Sequence, residues 1–499
     1  MMIKLNYNDY KDKVYACWLG KNIGGTLGTP YEGARKRLNV TGFVTPPKEP
    51  LPNDDLDLQL LWLHAIRSEG AKDFNAEILG TYWQTYVVQH WNEYGICQAN
   101  MKKGLYPSIS GNYKNPWKHS NGAWIRTEIW ATLAPASPDL AVAYAIEDAK
   151  IDHGDGEGTY AAMFVAALES SAFVISEPRK LIDIGLSKIP SDCRMAKTIR
   201  LILKSYDEGV SYEQVRELVF EENADIGDGW FQAPTNVGYA IIGLLYGEGD
   251  FKKSMLLAVN CGDDTDCTAA TIGSIMGLIY GTKVLPKDWI EYVSEKIVTC
   301  TVATLFEMPK NCQELTDWVV DFAPAVLIEN RANVRIVESE TQIEENLFEK
   351  LTKQEVGHEW DWDRDDERTR QYYAANTVNS FSIKSADITA VISYDGEPEI
   401  KPNQEKKIKL KLINNAHVHG NAPRNVIVKA IVIPDGFTID KEETSLFIPQ
   451  FTMLTKNWMT DIELAITAGE KVKATNRVLI EVNEPGRYNS LFIPIVFLG

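Results

Sequence analysis

Two short runs of carboxylates mark where this chain could do chemistry. Asn53-Asp54-Asp55-Leu56-Asp57 and Gly262-Asp263-Asp264-Thr265-Asp266 each place adjacent acids directly before a strongly apolar segment, residues 60–66 and 268–280 respectively. Acids are favoured at a helix start, where they cap free N–H groups and meet the positive end of the helix dipole. For one Asp-Asp pair that explanation is sufficient. Two clusters of this density suggest more, because carboxylates that converge in one site repel each other and a bound metal ion is the usual resolution. Hard oxygen donors favour Mg²⁺, Mn²⁺ or Ca²⁺ over zinc. The sequence leaves open whether the two clusters meet.

Other candidates are single residues. Asn121-Gly122 fits a loop that brings backbone N–H groups close to an anion or a hydroxyl group, and equally fits a plain turn. His153 lies in a Gly-rich stretch between Asp152 and Asp155; it could contact a polar ligand, although a lone His in a polar loop is more often an ordinary surface residue. His417 and His419 read as neighbours on a strand or loop, and Trp360 and Trp362 as apolar anchors.

These residues need elements to position them. From about residue 10 to about residue 325 the apolar positions recur at helical spacing, punctuated by Gly and Pro, which predicts a compact all-α bundle. Residues 331–379 are heavily charged and read as a connector packed over the bundle surface. After Ser380 the period becomes two, as in Lys407-Ile408-Lys409-Leu410-Lys411-Leu412, with turns at Asp395-Gly396, Asp435-Gly436 and Pro485-Gly486. Short strands so punctuated predict a β-sandwich. The expected class is therefore multidomain α + β, with an all-α domain at 1–330, the connector at 331–379 and a β-sandwich at 380–499.

Composition narrows the function. A chain of 499 residues is long for one core, and 44% hydrophobic with 24% charged residues is ordinary for a globular protein. A net charge of −18 argues against a nucleic-acid partner. No apolar run is long enough to span a bilayer, and residues 1–10 lack a signal-peptide core. The seven cysteines form no C-x-x-C pair and read as reduced thiols, so a cytoplasmic location is expected.

The stretch Asn260-Cys261-Gly262-Asp263-Asp264-Thr265-Asp266-Cys267, followed by Ala269-Ala270 and Gly273, resembles the signature of the ADP-ribosylglycohydrolase family. Three more stretches match in the right order. Residues 20–32 (GKNIGGTLGTPYE) resemble the family's opening segment with its Gly-rich turn and terminal Glu. Asn53-Asp54-Asp55 resembles its first metal cluster, and residues 120–126 with Asp152-His153-Gly154 resemble its substrate-loop and His motifs. The resemblance implies an all-α bundle with two divalent cations, Mg²⁺ or Mn²⁺, held by Asn53, Asp54, Asp55, Asp264 and Asp266. It implies Glu32 and Asp55 as the catalytic acids, and Asn121, Gly122 and His153 as substrate contacts. Two departures stand out: Cys267 occupies the place of a Thr or Ser ligand, and Leu56 that of a Thr. The implied activity is metal-assisted hydrolysis of an N- or O-ribosyl bond in an ADP-ribosylated protein or metabolite. The alternatives are a smaller ribosyl or furanosyl conjugate, or a non-catalytic member like the crystallin relatives.

Overall fold

The computed structural model describes residues 2–52, 54–72, 74–227, 229–353, 379–385, 387–415, 422–450, 458–488 and 490–499. The expectations for Asn53, Trp360, Trp362, His417 and His419 lie outside them. Two compact units emerge: Met1–Ile96 with Asn115–Thr369, and Cys97–Lys114 with Arg370–Gly499.

The first unit is helical. Its opening helix, Tyr7–Gly28, starts on Asn6, whose side chain accepts from the N–H groups of Asn8 and Asp9. The expected Gly-rich turn is not a turn. Gly20, Gly24 and Gly28 sit inside or at the end of this helix, four residues apart, and form a seam against the helix Thr265–Tyr280. A Cβ on Gly20 would collide with the Gly273 carbonyl, one on Gly24 with the backbone of Ala269 and Ala270, and one on Gly28 with that of Thr265 and Asp266. Glycine is here the residue that lets two backbones touch, which a conformational reading of the same residues misses. The partner helix is buried from Thr265 to Ile279, as its apolar composition predicts.

Around this pair pack the helices Asp54–Glu69, Ala233–Tyr246, Phe251–Asn260 and Cys312–Glu329. The unit also carries a two-stranded parallel sheet, β1 (Ile3–Asn6) with β2 (Val334–Val337), so the start of the expected connector is partly strand.

The second unit is a β-sandwich. Its strands are β3 (Ser380–Lys384), β4 (Ile388–Tyr394), β5 (Glu405–Asn414), β6 (Arg424–Val432), β7 (Thr438–Ile439), β8 (Glu443–Ile448), β9 (Met459–Thr467), β10 (Thr475–Asn483) and β11 (Ser490–Leu498). They form antiparallel sheets of order β3-β4-β5-β9-β7 and β11-β10-β6-β8. Alternation does its work in β5: Ile408, Leu410 and Leu412 enter the core while Lys407 and Lys409 face out to Glu463 and Asp461. Leu105, Ile109 and Tyr113, from the segment that precedes residue 115, join the same core.

Candidate active site

The two acidic clusters meet. Helix Asp54–Glu69 begins with the first cluster, and Asp264 stands at the N-cap of Thr265–Tyr280. Cys267 Sγ donates to Asp55 Oδ1 at 3.2 Å, which ties one cluster to the other across 212 residues of sequence.

Local backbone makes this possible. Gly262 and Asp263 both have positive φ, +80° and +65°, and reverse the chain between the helix Phe251–Asn260 and the second cluster. A side chain at Gly262 would strike the carbonyls of Ala34 and Lys36. Asp263 in turn exchanges backbone bonds with the segment after the opening helix: Gly33 N–H donates to Asp263 O at 2.9 Å, and Asp263 N–H to Ala34 O at 2.8 Å. These bonds set Glu32, the residue that ends the turn Thr29–Tyr31, beside the second cluster.

The acids divide by what they touch. Asp57 Oδ2 accepts from the backbone N–H groups of Cys300 and Thr301, both at 2.6 Å, and Asp263 Oδ1 accepts from Phe231 N–H at 3.2 Å. Those two hold loops. Asp264 does not cap its own helix, despite its N-cap position. Its Oδ2 accepts from Asn121 Nδ2 at 2.5 Å, while its Oδ1 and that of Asp266 are buried without a hydrogen-bond donor. Buried carboxylate oxygens left in this state cost free energy unless a cation or proton meets them. Helix capping therefore accounts for neither residue, and the donor set suits a hard divalent cation.

Electrostatics agree. Burial, then the charges of Asp266 and Asp57, pushes the Asp54 carboxyl up to about 7. Burial and Asp266 likewise hold Asp264 well above the carboxylate range. Glu32 is the most exposed of the group, yet partial desolvation with Asp266 and Asp54 raises it to about 8. Asp55 differs: it is fully buried, and Lys21 Nζ lies 4.0 Å from its Oδ2. Of the two acids expected to move protons, only Glu32 faces outward.

The predicted substrate contacts occupy other positions. His153 is not on the surface; it is fully buried, with Nδ1 3.0 Å from Asp152 Oδ1 and Nε2 3.1 Å from Ser120 O. Gly122 N–H is taken by Glu93 Oε1 at 3.2 Å, and Gly122 O by Arg126 Nη1 at 2.5 Å. Arg126 is itself clamped by Asp148 and Asp152, at 2.8 and 2.9 Å from Nη2. The loop from Ser120 to Gly122 is thus fastened from below, and Asn121 reaches across to Asp264. In this structure His153 and the Gly122 N–H, expected as substrate contacts, are both engaged in holding the loop.

Lys21, Gln59, Glu93 and Glu128 carry the support of the site and do not stand out by spacing. The one available signal was a charged residue inside an apolar helix, Lys21 in the opening helix and Glu128 before Ile129-Trp130-Ala131. Such residues are rarely buried without a partner.

A helical unit with acid clusters converging at two helix starts is the frame of the site. The family model for ADP-ribosylglycohydrolase matches residues 6–322, and the chain belongs to that family. Among curated proteins it is similar to ADP-ribosylarginine hydrolase Tri1 of Serratia proteamaculans (strain 568), 40% identical over 60 residues, 12% of this chain and 16% of that protein. It is also similar to ADP-ribosylarginine hydrolase Tri1 of Pseudomonas putida (strain GB-1), 36% identical over 55 residues, 11% of this chain and 15% of that protein. The chain therefore aligns with less than a fifth of the length of these relatives. A solved chain titled "ADP-ribosylglycohydrolase-related protein complex" aligns with a TM-score of 0.43 at 20% identity, over 64% of this chain and 99% of that chain. Among the described residues, no helix is long and apolar enough to cross a membrane.

Proposed function

We propose that this chain hydrolyses the ribosyl glycosidic bond of an ADP-ribose conjugate at the joined acid clusters. The observation that carries the reading is the pair of donorless buried oxygens on Asp264 and Asp266, set against Asp54 and Glu32. Asp54, Asp264 and Asp266, with Asp55 behind them, are the residues that would hold a hard divalent cation, Mg²⁺ or Mn²⁺. When bound, such an ion supplies orientation of ribose hydroxyls and Lewis-acid assistance to water.

The chain's own groups do the rest. Glu32, exposed at the rim, accepts the proton of the water that attacks the anomeric carbon. The transition state resembles an oxocarbenium ion, so the surrounding carboxylates stabilise its developing positive charge. Asn121 fixes the carboxylate of Asp264, and Glu93, Arg126 and His153 fix the loop that carries Asn121. The curated relatives are named for arginine-linked ADP-ribose, which supports that linkage here. A soluble chain in the cytoplasm, acting on a protein-linked or small-molecule conjugate, is consistent with this reading.

The test is a panel of arginine-linked and serine-linked ADP-ribose conjugates and simple ribosides, with Mn²⁺ present. Release of ADP-ribose from an arginine conjugate is expected. Turnover of ribosides alone would replace the proposed substrate with a smaller one, and turnover of nothing, with no metal bound, would leave a non-catalytic protein.

A further inference from the structure

The acid clusters already contain a cation of the chain's own. Lys21 is 1% exposed, and its Nζ lies 2.6 Å from Glu128 Oε1, 2.5 Å from the Ile125 carbonyl oxygen and 4.0 Å from Asp55 Oδ2. Glu128 is held on its other oxygen by Gln59 Nε2 at 2.8 Å, and Gln59 also bonds to the Asp55 carbonyl and to Ile129 N–H. The ammonium is therefore fixed under the first cluster. On the opposite side of the same carboxylate, Cys267 donates to Asp55 Oδ1 at 3.2 Å. Asp55 lies between a thiol 3.2 Å from its Oδ1 and an ammonium at ion-pair distance, 4.0 Å, from its Oδ2; Asp264 Oδ1 and Asp266 Oδ1 face no donor.

We infer that this chain binds one divalent cation, through Asp54, Asp264 and Asp266, and that Lys21 and Cys267 together stand where a second would be held. The inference rests on the metal-dependent reading above and departs from the two ions that the family resemblance implies. A second Mg²⁺ or Mn²⁺ would have to share Asp55 with the thiol on its Oδ1 and the ammonium near its Oδ2. It would gain a soft thiol where a hard oxygen is preferred. It would also sit near a fixed charge of like sign in a site where solvent screens poorly.

The experiment is equilibrium dialysis of the metal-stripped full chain against Mn²⁺, with bound metal counted by elemental analysis. The expected result is one ion per chain, with any second ion at least ~100-fold weaker. Two ions closer in affinity than that would overturn the inference and leave the hydrolase reading standing. No bound ion would overturn both. The double variant Lys21→Met with Cys267→Thr removes the ammonium and adds an oxygen donor, and is expected to take up a second ion. A folded double variant, judged by its melting transition, that still binds one would refute the part given to Lys21 and Cys267. If that variant does not fold, the stoichiometry of the natural chain decides alone.

Discussion

At the scale of single residues, the proposed function makes Glu32 the reacting group and gives its neighbours the part of holding the site. Glu32→Gln keeps shape and removes the base, so kcat is expected to fall by roughly 10²–10⁴-fold while KM changes little. Steady-state kinetics on the arginine conjugate would check this, and an unchanged kcat would remove Glu32 from the chemistry. Asn121→Ala frees the Asp264 carboxylate from its 2.5 Å bond, so Mn²⁺ affinity is expected to drop by about 10–100-fold. Calorimetry reads that directly, and unaltered affinity would mean that Asp264 is positioned without Asn121. The acids of both clusters were legible in the sequence because they are adjacent in it and precede apolar helices. Lys21 was not, because its partner Glu128 lies 107 residues away and only the fold brings them together.

At the scale of elements, the approach of two helices sets the site. The glycine seam places the end of the opening helix, and with it Glu32, against the start of Thr265–Tyr280, where Asp264 and Asp266 lie. Gly24→Ala would drive a methyl group into the backbone of Ala269 and Ala270. A loss of about 1–3 kcal/mol in folding stability is expected, with weaker Mn²⁺ binding as the helices part. Denaturant unfolding and a metal titration on the same variant check both, and wild-type values in each would show that the seam has slack. Helical periodicity was readable along this stretch, but glycines spaced four residues apart serve a turn or a close helix contact equally well. The deciding fact is the small-residue face of the second helix, Ala269, Gly273 and Gly277, some 250 residues on.

At the scale of the whole molecule, the strands after Ser380 were legible from their alternation, whereas the membership of Cys97–Lys114 in the β unit was not. Leu105, Ile109 and Tyr113 show an ordinary apolar spacing, and nothing local says which core they enter. The charge pattern yields a prediction about the folded chain as a unit. Without metal, Asp57 and Asp263 hold their protons to about 6, Asp54 to about 7 and Glu32 to about 8, each raised first by burial. In the unfolded chain such groups titrate near pH ~4, so between about pH 4 and pH 8 the folded state binds more protons. Their stabilising contribution is full below that range and is lost as pH rises through it. Asp152, held down to about 2 by Arg126 and His153 against the effect of burial, acts in the opposite sense: its contribution is present above about pH 4 and is lost as pH falls through about 2. The melting temperature of the EDTA-treated chain should therefore fall between about pH 5.5 and 8.5, and saturating Mn²⁺ should remove most of that fall by taking the place of the protons. A flat or rising profile in EDTA would contradict the assignment of the raised carboxyls.

The central claim is that the joined clusters hydrolyse an ADP-ribosyl bond with the help of a bound divalent ion. Its most direct test follows ADP-ribose release from an ADP-ribosylated arginine substrate as Mn²⁺ is stripped by chelation and then restored. Release is expected to stop on stripping, to return with added Mn²⁺, and to be absent at every Mn²⁺ concentration in Asp264→Ala. Release that continues undiminished in the metal-free chain, or that survives intact in Asp264→Ala, would contradict it.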